Sequence, residues 1–211
     1  MKVKLYSYFR SSCSYRVRIA LYFKNIPFIY QPIHLVKSGG EQNQADFKKI
    51  NPFSQIPCLE HDDKILFQSL PILLYLEDLY PQPALLPQDP FLKSEILSVC
   101  EVMNSFTQPL QNLGVLQFLE KNFKADKKKW SYHWIQKGFI SLESFLKTKS
   151  QKFCFGNDLT LADLFLIPQI YNAKRFDLDM KDFPTLSQIE KNCLNLESFQ
   201  KALPENQPDA P

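Results

Sequence analysis

A run of small polar side chains lies near the N-terminus, at Ser11, Ser12, Cys13 and Ser14. The run follows a strand-like segment and leads into apolar positions that continue far enough for a helix, so it is predicted to be a helix start. A helix start offers unpaired N–H groups and about half a unit of positive charge, which stabilise an anion such as a thiolate. Plain helix capping by one serine accounts for the same pattern.

Cys13 raises a separate question, because it lies at the same predicted helix start. The N-terminus of a helix favours the thiolate form of a cysteine, so Cys13 is a candidate nucleophile or redox thiol. The alternative is a small residue packed in the turn. The spacing alone leaves both open.

Two later segments also offer groups to a ligand. Ile56 precedes Pro57, and a cis X–Pro bond would leave the backbone of Ile56 to face a ligand as a strand does. An ordinary proline at the start of a strand is the alternative. Gln68 and Ser69 lie at the start of another helix-like segment, which Ser69 is expected to cap, so a hydroxyl and backbone N–H groups suited to a carboxylate are predicted there.

A further helix start is predicted at Thr160–Asp163, which has the spacing of a capping box. Leu159 and Leu164 flank it as a hydrophobic staple would. We assign this motif a structural role and no catalytic one.

The elements that must position the N-terminal residues alternate between strand and helix. The predicted order is βαβαββα, a small α/β layer structure with a parallel start and an antiparallel end. The strands are expected at about residues 3–6, 28–33, 58–60 and 64–67, and the helices at about 11–23, 46–49 and 69–76. Residues 1–80 are therefore predicted to form one α/β domain.

The second half of the chain has only helical periodicity. Residues 80–90 contain four prolines, a density that no helix or central strand tolerates, so 81–90 is predicted to be a linker. Residues 91–211 are predicted to be all helical, with an irregular tail from Pro204. The helices are expected at about residues 91–119, 126–147, 160–174 and 184–199.

Composition narrows the class of protein. The chain has 211 residues, 45% hydrophobic and 14% aromatic, which excludes a disordered chain and allows a packed core. Its net charge is +3, and the basic run at residues 127–129 is interpreted as a solvated helix start, so no nucleic-acid partner is expected. The sequence shows neither a signal peptide nor a membrane span, and no membrane partner is expected.

The cysteines indicate a reducing compartment. They are odd in number, far apart and without a Cys-x-x-Cys pair, which argues against a disulfide framework or a zinc site. Three scattered histidines do not suggest a metal centre either. A cytoplasmic protein without a metal is therefore predicted. The cysteines are Cys13, Cys58, Cys100, Cys154 and Cys193.

The segment Ser11–Leu21, SSCSYRVRIAL, closely resembles the signature of zeta-class glutathione transferases. Two departures from the family pattern stand out. Tyr15 replaces the usual tryptophan, and Gly114 stands where serine is expected, which removes any side-chain contact there. Further matches to the family lie at 85–90, 108–113, 162–164, 168–169, 172–173, 175–176 and 207–209.

The resemblance implies a thioredoxin-like glutathione-binding domain followed by an all-α domain, in a homodimer. It also implies glutathione-dependent cis–trans isomerisation of maleylacetoacetate to fumarylacetoacetate in tyrosine and phenylalanine catabolism. Glutathione would be the cofactor, a small dicarboxylate the substrate, and transferase chemistry a side activity.

The resemblance also implies roles for individual residues. Ser11, Ser12 and Cys13 would be catalytic and surround the glutathione sulfur, with Ser11 stabilising the thiolate. Arg175 would bind a substrate carboxylate. Glutathione itself would be held by Ser11, Ser12, Cys13, Ser14, Tyr15, Arg16, Gln42, Ile56, Gln68, Ser69, Gln108, Asn112 and Leu113.

Three other functions stay open. A thiol oxidoreductase would use Cys13, although the surrounding residues match zeta enzymes better. A maleylpyruvate isomerase would share the fold and the mechanism and differ in its substrate. A non-catalytic glutathione-binding protein is the third, and the intact Ser11, Cys13, Gln68 and Ser69 argue against it.

Overall fold

Four short strands near the N-terminus form one mixed sheet. The computed structural model describes residues 2–211. β1 pairs with β2 in parallel and with β3 antiparallel, and β3 and β4 form a hairpin. Pro32 lies on β2, an edge strand, where its missing N–H breaks no ladder. The strands, in the spatial order β2-β1-β3-β4, are β1 (Val3–Ser7), β2 (Ile29–Pro32), β3 (Cys58–His61) and β4 (Lys64–Phe67).

Three helices accompany the sheet: α1 (Ser12–Phe23), α2 (Ala45–Ile50) and α3 (Ser69–Leu79). The predicted order βαβαββα is confirmed. Ser69 was expected to cap α3, but Gln68 is the N-cap and Ser69 is the first helical residue. Pro71 fits in the first turn because the N–H that it lacks would have no acceptor within the helix.

Side chains from the sheet and from α2 form an apolar cluster. Tyr6, Phe47 and Cys58 are buried in it, and the partly buried Ile56 packs against them. The Tyr6 and Phe47 rings meet edge to face, with their centroids 6.1 Å apart. This packing anchors the segment that leads into Pro57.

The helical unit spans Leu85–Leu194. The helix predicted over 91–119 is not continuous: a π-helical turn, Val102–Thr107, and a 3-10 turn, Pro109–Gln111, interrupt it. Pro109 explains the break, because it lacks the N–H that helix continuation needs. The helices are α4 (Pro90–Glu101), α5 (Leu113–Phe123), α6 (Lys127–Leu146), α7 (Leu161–Arg175) and α8 (Pro184–Leu194).

The basic run begins α6, as predicted. The Asp126 side chain caps this helix by accepting hydrogen bonds from the backbone N–H groups of Lys128 and Lys129. Lys127 forms an ion pair with Glu120 at 2.7 Å. These lysines therefore lie in an ordinary helix start with acidic neighbours.

The capping box at the start of α7 is also present. Asp163 is fully buried, and its carboxylate accepts hydrogen bonds from the backbone N–H of Thr160 and of Cys154, each at 2.8 Å. The Thr160 hydroxyl donates to the same carboxylate at 2.9 Å. Burial raises the pKa of Asp163, although these donors oppose the shift. The predicted staple residues, Leu159 and Leu164, are both buried.

The C-terminal residues were assigned to the helical domain by the sequence, but Asn195–Pro211 pack in one compact unit with the residues up to Ala84. A last helix, α9 (Glu197–Ala202), contacts α1. Arg18 ties the end of α9 to α1, because it is fully buried in α1 and donates to the carbonyl oxygen of Ala202 from both Nε and Nη2 at 3.1 Å.

The predicted linker is divided between the two units. The Lys24 ammonium donates to the carbonyl oxygens of Tyr80 and Pro83 at 2.7 and 2.8 Å, which ties the first part to the sheet unit. The second part belongs to the helical unit, where the N–H of Leu161 donates to the carbonyl oxygen of Leu85 at 2.9 Å. Within residues 2–211, no helix is long and apolar enough to span a membrane.

Candidate active site

Ser11 is the N-cap of α1, with the extended backbone angles φ −71° and ψ 113°. Its Oγ accepts a hydrogen bond from the N–H of Ser14 at 3.2 Å. A hydroxyl that accepts through a lone pair still has its O–H to donate. Helix capping and thiolate stabilisation are therefore compatible functions of one side chain, and the alternatives that the sequence left open do not exclude each other.

The residues that follow Ser11 differ in exposure. Ser12 is nearly buried, with 6% of its surface exposed, and Cys13 is half-buried. Ser14, Tyr15 and Arg16 have at most 1% of their surface exposed. Ser14, Tyr15 and Arg16 are therefore part of the buried packing at the start of α1. Their contact with glutathione stays a prediction.

Arg16 connects the starts of two helices. Its Nη1 donates to the Oγ of Ser69, the first residue of α3, at 3.1 Å. Neither α1 nor α3 has an acidic residue in its first turn. The N-terminal positive ends of both helices are therefore not compensated by an Asp or Glu there, an arrangement that favours a bound anion.

The segment before Pro57 lies beside the start of α3. The Ile56–Pro57 peptide bond is cis, and the Gln68 side-chain amide donates to the Gln55 side-chain oxygen at 2.9 Å. Gln68 has φ +72°, a backbone conformation that is uncommon for a residue other than glycine. The structure thus brings Ile56, Gln68 and Ser69 together, and the Arg16–Ser69 bond links them to α1. Gln55 was not among the site residues predicted from the sequence.

Gln42 lies in a tightly folded loop after β2. Its amide nitrogen donates to the carbonyl oxygen of Leu35 at 3.3 Å. Its shielded side-chain oxygen has no hydrogen-bond partner among the described residues. Gly40 has φ +95°, and a Cβ there would collide with the Gln42 side chain, so glycine is required.

His34 organises the same loop. Its ring Nδ1 accepts from the backbone N–H groups of Val36 and Lys37 at 3.2 and 2.8 Å, and the backbone N–H of His34 donates to the Glu41 carboxylate at 2.7 Å. The His34 ring also lies edge to face against Tyr8, which belongs to the loop before α1. Because the contact between His34 and Tyr8 joins loops that are distant in the sequence, periodicity could not have shown it.

The site residues predicted in the helical unit lie around the interruption after α4. Gln108 is half-buried and precedes the 3-10 turn. Asn112 is the N-cap of α5, and its side-chain oxygen accepts from the N–H of Gly114 at 3.1 Å. Leu113 is the first residue of α5 and is half-buried. The structure therefore gives Asn112 a capping role, and its contact with glutathione stays a prediction.

Arg175 is the last residue of α7 and is exposed. Its Nη1 donates to the side-chain oxygen of Asn172 at 3.0 Å, which holds the guanidinium against its own helix. The neighbouring Lys174 forms an ion pair with Glu190 at 2.7 Å. Both basic residues lie in the last turn, where cations stabilise the helix dipole.

Cys13 is the most accessible of the cysteines. The other four are buried, and none of the five forms a disulfide within the described chain. Burial raises the pKa of the Cys58 thiol to about 11, and it raises the pKa of Cys154 and Cys193 as well. Thiol chemistry by a protein side chain would therefore fall to Cys13.

The first unit thus holds a set of groups suited to a thiol tripeptide. Two uncompensated helix starts and the hydroxyls of Ser11 and Ser69 suit negative charge, and the backbone of Ile56 suits an extended peptide. Among residues 2–211, no group of three or more His, Cys, Asp or Glu side chains is arranged to hold a metal ion. These donors fit glutathione, which hydroxyl, amide and backbone N–H groups would hold by hydrogen bonds.

Comparison with known proteins identifies the family. The family model for the glutathione S-transferase N-terminal domain matches residues 1–78, and the one for the C-terminal domain matches residues 111–204. Maleylacetoacetate isomerase of Dictyostelium discoideum is 44% identical, over 99% of this chain and 96% of its own.

Two solved proteins have the same fold over the whole chain. A bacterial zeta-class maleylpyruvate isomerase superposes with a TM-score of 0.96 at 36% identity, covering 99% of this chain and all of its own. Maleylacetoacetate isomerase of Anaeromyxobacter dehalogenans with bound glutathione gives 0.90 at 40% identity, covering 100% and 98%. The same enzyme with dicarboxyethyl glutathione and citrate in its active site gives 0.89 at 38% identity, with the same coverage. This chain therefore belongs to the zeta class of the glutathione S-transferase family.

Proposed function

We propose that this protein is a glutathione-dependent cis–trans isomerase that converts maleylacetoacetate to fumarylacetoacetate in tyrosine and phenylalanine catabolism. The observation that carries the proposal is the start of α1, where Ser11 caps the helix and keeps its O–H available as a donor. Full-length similarity to maleylacetoacetate isomerases supports the choice of reaction.

The residues of this chain would divide the work. Glutathione, when bound, would supply a thiolate nucleophile for the cis double bond and would be regenerated, so it would not be consumed. Ser11 would hold that sulfur as an anion by donating its hydroxyl hydrogen, and the N–H groups at the start of α1 would add to the same field. Ser12 and Cys13 would line the sulfur site.

The remaining parts of glutathione would meet separate groups. Gln68 and Ser69, at the start of α3, would hold the γ-glutamyl carboxylate, with Arg16 keeping Ser69 in place. The backbone of Ile56 would pair with the cysteinyl backbone, and Gln42 would reach the glycyl end.

The proposed reaction can be tested directly with maleylacetone as the substrate of the purified protein. We expect isomerisation with glutathione and none without it. S-methylglutathione is the matched control, because it keeps the tripeptide but has no ionisable thiol. Turnover that S-methylglutathione supports, or that needs no glutathione, would contradict the mechanism.

Maleylpyruvate is a second candidate substrate. The bacterial maleylpyruvate isomerase superposes with a TM-score of 0.96. Maleylpyruvate and maleylacetone can be compared by kcat/KM on one enzyme preparation. A higher value for maleylpyruvate would favour the second candidate without affecting the role of Ser11.

Arg175 is predicted to bind a carboxylate of the substrate, because a planar guanidinium can grip a carboxylate at two points. Arg175→Ala should therefore raise KM for maleylacetone by about tenfold, the loss of a charge-assisted hydrogen bond. Conjugation of an uncharged electrophile and the affinity for glutathione should change little.

Lys174→Ala is the matched control, since it removes a neighbouring charge that already pairs with Glu190. It should leave KM for maleylacetone nearly unchanged. If Arg175→Ala weakens the turnover of charged and uncharged substrates equally, the arginine supports the helix end rather than the substrate.

We also propose a cytoplasmic homodimer. The absence of disulfides within the described chain is consistent with a reducing compartment, and the exposed, mutually contacting rings of Phe53 and Phe67 offer an apolar patch for association. Light scattering at micromolar concentration should give the mass of two chains. A single species with the mass of one chain, 24.7 kDa, would contradict the dimer.

A further inference from the structure

The C-terminal segment returns to the loop that immediately precedes Ser11. Gln207 is buried, and its amide donates to the carbonyl oxygens of Lys201 and Leu203 at 2.8 and 2.7 Å. This closes a turn that directs Asp209 toward the sheet unit. The match to the family at 207–209, which the sequence analysis left without a role, thus has a structural purpose.

Both oxygens of the Asp209 carboxylate accept hydrogen bonds from distant parts of the unit. Oδ2 accepts from the backbone N–H of Phe9 at 3.0 Å, and Oδ1 accepts from the Tyr30 hydroxyl, on β2, at 2.6 Å. Burial and the bond to Asp209 raise the pKa of Tyr30, so the phenol stays protonated and remains the donor.

Arg18 holds the opposite side of the same loop. Its guanidinium donates to the carbonyl oxygen of Tyr8 at 3.3 Å and to that of Phe9 at 3.0 Å. The N–H of Ser11 closes the loop by donating to the Tyr8 carbonyl oxygen at 2.9 Å. The peptide groups before Ser11 are therefore held from both sides, by a buried cation and by a carboxylate from the C-terminal tail.

We propose that Asp209 is a positioning residue that sets the direction of the Ser11 hydroxyl, and so the ionisation of the glutathione thiol, through the backbone of Phe9. This inference rests on the proposed function. Phe9 is two residues from Ser11, so a shift of its peptide plane moves the N-cap and the hydroxyl that it carries. Small displacements of this kind are costly, because a misplacement of about 1 Å can lower a rate about 100-fold.

Asp209→Asn tests the proposal with almost no change in shape. The carboxylate loses its charge, so the bond from the Phe9 N–H weakens even where the amide oxygen faces it, and the Tyr30 hydroxyl must accept rather than donate where it meets the amide nitrogen. We expect kcat for maleylacetone to fall about tenfold while KM for glutathione changes less than about threefold. Asp63→Asn is the matched control, an exposed turn residue with φ +67° where asparagine is equally suitable.

A second measurement separates positioning from a purely structural role. It follows the ionisation of the bound glutathione thiol, which a purely structural role of Asp209 would leave unchanged. Thiolate absorbance of the binary complex with glutathione, followed against pH, should shift to higher pH in Asp209→Asn and not in Asp63→Asn. Tyr30→Phe removes only the hydrogen bond from Tyr30 to Asp209, and it should shift the thiolate titration in the same direction by a smaller amount. The binary complex needs no substrate, so this reading is independent of the isomerase assignment.

The outcomes separate clearly. A folded Asp209→Asn protein with the thiolate titration and kcat of the parent overturns the proposal. If Asp209→Asn does not fold, an unchanged titration in Tyr30→Phe overturns it instead. A protein that shows the predicted shift but isomerises neither substrate would refute the proposed function and leave the role of Asp209 intact.

Discussion

Replacing Ser11 with alanine is expected to lower turnover of maleylacetone about tenfold or more. The glutathione thiolate would lose a hydroxyl donor, and a hydrogen bond to a charged group contributes roughly 1.5–3 kcal/mol. The measurement is kcat at saturating glutathione, together with the pH dependence of thiolate absorbance in the binary complex. Both should move, because the same hydrogen bond governs ionisation and rate.

Helix capping complicates this experiment, and a second substitution resolves it. Ser11 caps α1, and alanine at an N-cap costs about 1 kcal/mol of stability, whereas glycine costs only a few tenths. Ser11→Gly should therefore be as inactive as Ser11→Ala and clearly more stable. If glycine restores activity, the loss in Ser11→Ala came from a weakened helix.

Cys13→Ala discriminates between the isomerase and the thiol oxidoreductase. If the glutathione sulfur is the nucleophile, this variant should lose less activity than Ser11→Ala. If Cys13→Ala abolishes turnover while Ser11→Ala is harmless, the protein uses its own thiol, and the proposed mechanism is wrong.

Asp163→Ala is expected to cause a large loss of stability. The substitution leaves the buried N–H groups of Cys154 and Thr160 without their acceptor, and each buried donor left unsatisfied costs about 1–3 kcal/mol. We expect the free energy of unfolding in urea to fall by about 2–6 kcal/mol. An unchanged urea midpoint would show that water or a rearranged loop replaces the carboxylate.

Asp158→Ala is the matched control for Asp163, because it removes an exposed carboxylate from the same connection before α7. Its free energy of unfolding should change by no more than about 0.5 kcal/mol, as for surface substitutions in general. The difference between the two variants isolates the contribution of the capping box from that of net charge.

Local features of the fold were predictable from sequence because their partners lie close along the chain. The box at Thr160–Asp163 joins residues three apart, and the hairpin over Cys58–Phe67 follows from two apolar runs around Asp62 and Asp63, which both adopt positive φ. The break at Pro109 was missed because apolar periodicity continues on both sides of it. The missing N–H of the proline outweighed that periodicity.

The sequence by itself determined the order of the elements, the zeta-class signature at Ser11–Leu21 and the presence of a capping serine. Tertiary structure decided which distant residues support them. Arg16 reaches Ser69 across 53 positions, Arg18 reaches Ala202 across 184, and Asp209 reaches Phe9 across 200. The periodicity of the sequence does not predict these long-range hydrogen bonds, because they form only when buried polar groups must find partners in the folded chain.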